Sequence, residues 1–221
     1  MSDPDPIATV LAYHERTKHH PDRYARSLGY LDWANQPDPF RRYEGAAIVP
    51  LAEVPPTPEP AFNAIFRPTS VPPRAVSAES IAQLLYDSLA ISAWKSLGGE
   101  RWALRVNPSS GNLHPTEGYL VAGPVAGLTD RPGVHHYAPY RHGLETRCPL
   151  SADEWGALTE GLPSGTVFVG LTSIHWRESW KYGERAFRYC QHDVGHAIGA
   201  ITAAAACLGW SAHVLPGLSD A

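Results

Sequence analysis

The sequence predicts one folded domain in which helices and strands share a single core. The chain has 221 residues, of which 43% are hydrophobic and 10% aromatic, and these values are typical of a soluble domain with one sizeable core. From Ser77 onward, helical and strand-like patterns alternate along the chain. The longest helical pattern is rich in alanine, so this helix is expected to pack closely at the centre.

Proline separates the chain into two regions. Many of the 21 prolines lie before residue 77, and proline interrupts both helices and central strands. We therefore interpret residues 1–76 as a proline-rich region that wraps a core domain formed by residues 77–221. Within the first region one short helix is predicted, over residues 6–14.

The core domain begins with a predicted helix. Ser77 can cap it, its apolar residues share one face as far as Ser92, and Gly98-Gly99 is expected to end it. Three strands are predicted, over residues 118–122, 133–140 and 166–172.

Two further helices follow from capping and periodicity. Ser151 and Glu154 form a capping-box pattern for a helix that ends near Gly161. The longest helix is predicted over residues 182–208, with Gly209 as its C-cap. Residues 211–215 are predicted to form a final strand.

Charge and cysteine content argue against several classes of function. The net charge is −4, and Lys and Arg are scattered, so no basic face is expected to bind nucleic acid. Cys148, Cys190 and Cys207 include no close pair, which favours reduced thiols in a cytoplasmic protein. Neither an export signal nor an apolar run long enough to span a bilayer is visible, so no membrane partner is expected.

A polar loop, residues 107–117 (NPSSGNLHPTE), is the first candidate site. Backbone N–H groups near Ser109, Ser110 and Gly111, with the amide of Asn112, offer donors and an acceptor along one edge. A flavin ring has a matching edge, and Gly111 would let the backbone approach the ring face. The same residue types also form ordinary turns with a helix cap, which is the alternative interpretation.

Three segments resemble one known family. Residues 101–121 (RWALRVNPSSGNLHPTEGYLV) resemble the flavin-contacting loop of the nitroreductase-like superfamily, specifically of its SagB/ThcOx-type dehydrogenase branch. Residues 176–210 resemble the Lys-Tyr motif and long central helix of that branch. Residues 13–43 resemble the N-terminal region of longer members. The segments occur in the expected order and cover most of the chain.

The resemblance implies an α+β fold with a central, mainly antiparallel sheet flanked by helices. It also implies bound FMN at the interface of a homodimer, or of two nitroreductase-like halves. Cofactor contacts are implied for Arg105, Pro108, Ser109, Ser110, Gly111, Asn112 and His114. Lys181 and Tyr182 correspond to the catalytic pair of the family, which assists removal of a substrate proton while flavin takes a hydride. The branch suggests azoline-containing peptides as substrates, and a small molecule is an equal alternative.

The chemistry of the Lys181-Tyr182 pair agrees with that role. A partly desolvated amine gives up its proton more readily, and a phenol can donate or relay one. The alternative is a solvated helix start that carries surface charges. Arg185 and Arg188 are placed to reach the flavin phosphate or a partner chain. The two arginines are one helical step apart. Their alternative role is surface ion pairing with Glu178 or Glu184.

The sequence departs from the family in two places. The usual early Arg-x-Ser-x-Arg element that grips the FMN phosphate is missing, and only Arg67 and Arg74 lie in that region, at unsuitable spacing. Where the family continues with a helix and a closing strand, this chain stops soon after Leu215, so the domain is expected to be incomplete. Losing two charge-assisted phosphate contacts of about 1.5–3 kcal/mol each would weaken FMN binding by about a hundredfold or more.

Two other classes of function stay open from the sequence. His192 and His196 are four residues apart on one helix, the spacing used by zinc proteases, with His175, His213 or the His135-His136 pair as candidate third ligands. Histidines in an alanine-rich helix also occur as core groups bonded to carbonyls. The other class is a cofactor-free scaffold or binding module, which the missing phosphate grip favours.

Overall fold

A five-stranded antiparallel sheet forms the centre of the computed structural model, which describes residues 5–55, 59–67 and 69–215. The strands of this part of the chain are Ile48–Pro50 (β1), Ile91–Leu97 (β2), Glu100–Arg105 (β3), Thr116–Ala122 (β4), Gly133–Ala138 (β5), Gly143–Pro149 (β6) and Phe168–Ser173 (β7). The central sheet has the order β1-β6-β5-β4-β7, and each neighbouring pair is antiparallel. β2 and β3 form a separate hairpin.

Helices pack beside this sheet. They are Pro6–Thr17 (α1), Ala78–Leu89 (α2), Ala152–Thr159 (α3), His175–Tyr182 (α4) and Ala186–Cys207 (α5). Short 3-10 turns occur at Trp33–Asn35, Ser110–Asn112 and Gly183–Arg185. The predicted α+β class, with a mainly antiparallel sheet and flanking helices, is confirmed. No helix of the described ranges has the length and apolar character that crossing a membrane requires.

Capping residues begin two of the helices where the sequence predicts them. The Ser77 hydroxyl accepts from the Ser80 backbone N–H at 3.2 Å, and the Ser80 hydroxyl accepts from the Ser77 N–H at 2.9 Å. The same reciprocal pair forms between Ser151 and Glu154 at the start of α3. Each pair satisfies two backbone donors that the first helical turn leaves free.

The helix predicted from Ser77 is shorter than expected. It ends at Leu89, and Ser92 lies in strand β2 instead of on the helical face. Gly98 and Gly99 do not stop a helix, because they form the turn of the β2–β3 hairpin with φ angles of 59° and 90°. Two adjacent glycines with positive φ are typical of a tight hairpin turn, and this turn chemistry outweighs the helical spacing of the preceding apolar residues.

The longest predicted helix is also interrupted. α4 ends at Tyr182, and a 3-10 turn over Gly183–Arg185 precedes α5. Gly183 has a φ of 54°, and a Cβ atom there would lie 2.9 Å from Leu28 Cδ2. The close approach of Leu28 and the left-handed backbone therefore explain both the break and the glycine.

The predicted final strand does not form. Residues 211–215 have no regular structure, and their backbone forms no strand pairing with the described strands. Strands β1, β2, β3 and β6 were not predicted. β6 carries three consecutive polar or charged residues among its seven, and β1 has only three residues, so neither shows a clear strand pattern.

The main core lies between α2 and one face of the sheet. Ile81 and Leu85 of α2 are almost fully buried, as are Leu120, Tyr137 and Leu144 of three adjacent strands. α2 also packs against α5, where Ala197, Ala204 and Ala205 allow a close approach of the two helices. Residues before α2 add Leu51 and Val54 to the same core.

We expect Leu85→Ala to lower the free energy of unfolding by about 2–5 kcal/mol, because it leaves a cavity beneath the sheet. Leu97→Ala is the matched control, since Leu97 is 76% exposed on the hairpin. Urea unfolding followed by far-UV circular dichroism measures both changes. Equal losses in the two variants would contradict this description of the core.

Candidate functional site

The polar loop predicted as a binding site forms a tight bend between β3 and β4. Pro108 and Gly111 are exposed, whereas Ser109, Ser110 and Asn112 are partly buried. The φ angles at Gly111, Asn112 and the following His114 are 63°, 60° and 49°. Three left-handed residues so close together are unusual outside glycine, so the surroundings of the bend must hold it in place.

Asp193, on α5, holds the bend from below. Its carboxylate accepts from the Ser109 hydroxyl at 2.8 Å, from the Ser110 hydroxyl at 2.9 Å and from the Ser110 backbone N–H at 3.0 Å. Hydrogen bonds to an ionised acceptor are about twice as strong as neutral ones. The serine donors therefore point into the protein. Sequence reasoning treated Asp193 only as the middle acid between two histidines.

Lys181 and Tyr182 lie directly against the same bend. A Cβ atom at Gly111 would come within 2.7 Å of the Tyr182 hydroxyl and 3.0 Å of Lys181 Cδ and Nζ. The structure thus brings together the two stretches that the sequence singled out, although about 70 residues separate them. An amine, a phenol and a side-chain-free stretch of backbone meet at one half-exposed place.

Aromatic and cationic groups surround the Tyr182 ring. The Tyr189 ring lies 4.2 Å from it, centroid to centroid, and the Arg185 guanidinium lies 5.4 Å from its centroid. Burial, followed by the charge of Glu178, raises the pKa of the Tyr182 phenol above its usual range. Tyr182 is therefore protonated at neutral pH and able to donate.

Arg105 and His114 lie beneath the bend and not on its open side. Arg105 is buried and donates to the backbone oxygens of Thr116 at 3.3 Å and Pro39 at 2.5 Å. Burial lowers the pKa of Arg105 to about 10, which leaves the group charged at neutral pH. Burial, with the charges of Arg105 and Arg177, lowers the pKa of His114 to about 3, so the imidazole is neutral.

The Asn112 amide is also used within the protein. Its Nδ2 donates to the Ala103 carbonyl oxygen at 3.0 Å, and its Oδ1 lies 2.9 Å from His114 Nε2. Because the amide oxygen only accepts, His114 carries its proton on Nε2. The amide and the imidazole therefore brace the bend against the end of β3.

A buried ionic network connects the bend to the centre of the sheet. Arg177 Nη1 donates to the His114 carbonyl oxygen and to Glu117 Oε1, both at 2.6 Å. Glu117 Oε2 lies 2.9 Å from His136 Nε2, and Glu145 Oε2 lies 2.9 Å from His136 Nδ1. One carboxyl group therefore faces each ring nitrogen of His136, and Arg177 bonds to the first of these two groups. Apart from the residue types, no pattern in the sequence indicates this network.

Because of this network, the free energy of unfolding is expected to depend on pH in the acid range. Burial alone would raise the pKa of Glu117, but the hydrogen bond from His136 and the charges of Arg105 and Arg177 together hold it below its usual range. A carboxyl group with a lowered folded-state pKa stabilises the protein above its unfolded-state pKa. That contribution is lost as the pH falls through the lowered value.

Arg185 and Arg188 make contacts other than the predicted surface ion pairs. Arg185 Nη1 donates to the Tyr189 hydroxyl at 3.1 Å and to His19 Nε2 at 3.0 Å. Arg188 bonds to the His14 carbonyl oxygen and the Thr17 hydroxyl of α1. Both arginines thus anchor residues 13–19. The ion-pair alternative is wrong in its partners, because Glu184 pairs with Arg16 and the Glu178 carboxylate oxygens have no hydrogen-bond partner.

His192 and His196, the candidate zinc ligands, are both exposed on α5. Within the described ranges, no group of three His, Cys, Asp or Glu side chains is arranged to hold a metal ion. Of the two arginines considered for a phosphate, Arg74 pairs with Glu79 at 2.9 Å, and Arg67 is exposed.

We expect Glu117→Gln to destabilise the protein by about 3–5 kcal/mol at pH 7, since it leaves buried Arg177 and His136 without their shared anion. Glu79→Gln removes the same charge from an exposed ion pair and should cost less than about 1 kcal/mol. Urea unfolding at pH 7 and at acid pH measures both. The difference in free energy of unfolding between wild type and Glu117→Gln should become smaller at acid pH. A difference that stays constant with pH would contradict the role of the network.

Solved structures of other proteins resemble the fold of this chain. No protein-family model and no curated protein sequence matches the chain. An Anabaena variabilis protein described as a nitroreductase is 29% identical, with a TM-score of 0.64, over 88% of this chain and 38% of that chain. A Ralstonia eutropha protein with the same description is 16% identical, with a TM-score of 0.53, over 73% of this chain and 72% of that chain.

A third similar structure is the E. coli microcin synthetase McbBCD complex with truncated pro-MccB17 bound. It is 19% identical, with a TM-score of 0.48, over 93% of this chain and 81% of that chain. The present chain spans 38% of the length of the Anabaena protein. Together with the antiparallel sheet and flanking helices, these two structures give this chain a nitroreductase-like α+β fold.

Proposed function

We propose that the chain is an FMN-dependent oxidoreductase of the SagB/ThcOx type, which transfers hydride between flavin and an organic substrate. One observation carries this proposal: Lys181 and Tyr182 lie against Gly111 of the polar bend, within 3.0 Å of where a Cβ atom would be. An amine, a phenol and exposed backbone at one place are suited to proton transfer beside a planar cofactor.

The residues present fit such a cofactor. Gly111 is exposed and has no side chain, so the backbone offers a flat edge, and Lys181 Nζ lies beside it. Pro108 adds a rigid, exposed start to the bend. Ser109 and Ser110 would act by fixing the bend through Asp193, and Asn112, His114 and Arg105 by supporting it from below.

When bound, FMN supplies the hydride acceptor or donor. The protein's own residues manage the proton. Tyr182 holds one at its phenol oxygen, because its raised pKa keeps the phenol neutral. Lys181 Nζ and the Tyr182 phenol oxygen both lie against Gly111 of the bend. Lys181 Nζ can take a proton from the substrate or return it. The Tyr189 ring packs against the Tyr182 ring.

The phosphate end is the weaker part of the proposed cofactor site. Arg185 lies near the Tyr182 ring and is the arginine best placed to bind the FMN phosphate. Its Nε has no hydrogen-bond partner within the protein. Arg74 is paired with Glu79. Affinity for FMN is therefore expected to be modest, unless a second chain supplies further cations.

A partner chain is part of the proposal. We propose a homodimer, or a second nitroreductase-like half, since this chain spans 38% of the Anabaena protein and nitroreductase-like sites are expected at an interface. The three free cysteines suit a reducing, cytoplasmic setting. Azoline-containing peptides or small organic molecules are the proposed substrates.

A cofactor-free scaffold is the second candidate, and one observation favours it. Asp193 already occupies the hydroxyl groups of Ser109 and Ser110 and the Ser110 backbone N–H, so fewer donors face a ligand. The two candidates differ in whether flavin binds at all.

We expect the purified protein, mixed with excess FMN and desalted, to retain flavin absorption in the visible range. Gly111→Ala should weaken FMN binding at least about tenfold, because the added methyl group meets Lys181 and Tyr182 and the residue has positive φ. Gly156→Ala is the control, since no atom lies within 4 Å of its Cβ position. A colourless wild-type protein would support the scaffold instead.

Lys181→Ala and Tyr182→Phe should keep FMN and slow flavin reduction or reoxidation by substrate about 10²-fold or more. Stopped-flow absorption with reduced nicotinamide and with a thiazoline compound measures each direction. Lys95→Ala, on the exposed hairpin, controls for loss of a positive charge. Unchanged rates in both site variants would remove the pair from the mechanism.

A further inference from the structure

A cavity of about 210 Å³ lies beside the end of α4, and the proposed proton transfer does not account for it. Two stretches of the chain line it, and their residues are Arg26, Ser27, Leu28, Tyr182, Gly183 and Glu184. Tyr182 lines this cavity, and its hydroxyl lies against Gly111 of the bend. One side chain therefore connects the cavity with the proposed cofactor site.

Residues 19–32 form the outer wall of the cavity, and contacts at both ends hold this wall in place. At one end, Arg185 Nη1 donates to His19 Nε2 at 3.0 Å. At the other end, Trp180 Nε1 donates to the Asp32 carbonyl oxygen at 2.8 Å. The wall thus has a set position relative to α4 and the 3-10 turn that follows it.

The middle of the wall approaches the backbone between α4 and α5. Gly183 has no side chain, and a Cβ atom there would lie 2.9 Å from Leu28 Cδ2. This close approach places the preceding residues, Arg26 and Ser27, at the cavity. Sites for drug-sized ligands have volumes of roughly 300–1,000 Å³, so a cavity of this size suits a smaller molecule.

Arg26 gives the cavity a cation that the protein itself does not use. Its side chain is exposed, and no carboxylate of the described residues pairs with it. Carboxylates do pair with other arginines, namely Arg16, Arg42, Arg74 and Arg177. A guanidinium presents parallel N–H donors that match the two oxygens of a carboxylate.

The remaining charge at the cavity is already balanced. Glu184 is the acid among the lining residues, and its Oε2 lies 3.3 Å from Arg16 Nε. The other lining side chains carry no charge at neutral pH, because the raised pKa of Tyr182 keeps its phenol protonated. The cavity therefore favours an anionic group over a neutral or cationic one.

We propose that this cavity binds the substrate, and that the substrate is a small organic acid whose carboxylate pairs with Arg26. The inference rests on the proposed function, because it places the rest of the acid beside Tyr182, the proposed proton donor. Arg26 binds the substrate and takes no part in proton transfer. It selects an anionic substrate over a neutral one of the same shape.

The test uses the unliganded protein, so its result does not depend on flavin binding. The two probes are thiazole carboxylate and thiazole carboxamide, which have similar shapes and differ in charge. Titrations are followed by NMR of labelled tyrosine rings, and the Tyr182 signal is identified by its loss in Tyr182→Phe. We expect the carboxylate to shift the Tyr182 signal and to bind at least about fivefold more tightly than the carboxamide.

Variants of Arg26 decide whether this preference comes from its charge. Arg26→Gln should reduce the ratio of the two affinities to about one. Arg26→Lys should retain part of the preference, because it keeps the charge and loses the paired donors. Arg141→Gln is the control: Arg141 is exposed and does not line the cavity, so the wild-type ratio should remain.

Three results would overturn the proposal. They are an absence of carboxylate binding to the wild-type protein, equal affinities of the two probes in wild type, and an unchanged ratio in Arg26→Gln. Circular dichroism of each variant confirms that the fold is kept, which is expected because Arg26 is exposed.

Failure of this proposal and failure of the cofactor proposal can be told apart. If the protein binds no FMN but prefers the carboxylate through Arg26, the cofactor proposal fails and the anion site stands. If FMN binds and the ratio does not depend on Arg26, the anion site alone fails.

Discussion

One guanidinium nitrogen, Nη1 of Arg177, donates to the His114 carbonyl oxygen at the end of the bend and to Glu117 on β4. Both acceptors and the arginine are buried. Because a buried charge that loses its partner costs several kcal/mol, α4, the bend and the sheet have one favourable arrangement. The position of Lys181, one helical turn further along α4, depends on that arrangement.

Two kinds of buried acid therefore lie close to the bend. Glu117 bonds to Arg177 and His136, and Glu145 bonds to the other nitrogen of His136, so the geometry is fixed. Glu178 has no hydrogen-bond partner, and burial raises its pKa to about 8. The first kind stabilises one geometry, because every member is paired.

Sequence patterns predicted the elements whose signals are local. The capping boxes at Ser77 and Ser151 predicted two helix starts, and the polar residues of 107–117 predicted a loop. Contacts between distant residues were beyond that reasoning. Asp193 and Arg177 each bond to residues more than 60 positions away, and nothing in the local pattern of α5 or α4 indicates those partners. The β2–β3 hairpin was missed because its apolar residues also fit helical spacing.

Gly183, between α4 and α5, interrupts the helical backbone between the segment that carries Lys181 and Tyr182 and the long helix that follows it. Had the two helices been continuous, any tilt of Lys181 and Tyr182 would have to propagate into the alanine-rich contact between α5 and α2. Gly183, with its left-handed backbone, absorbs the change of direction instead. The segment that carries Lys181 and Tyr182 can thus change its tilt while the contact between α5 and α2 is kept.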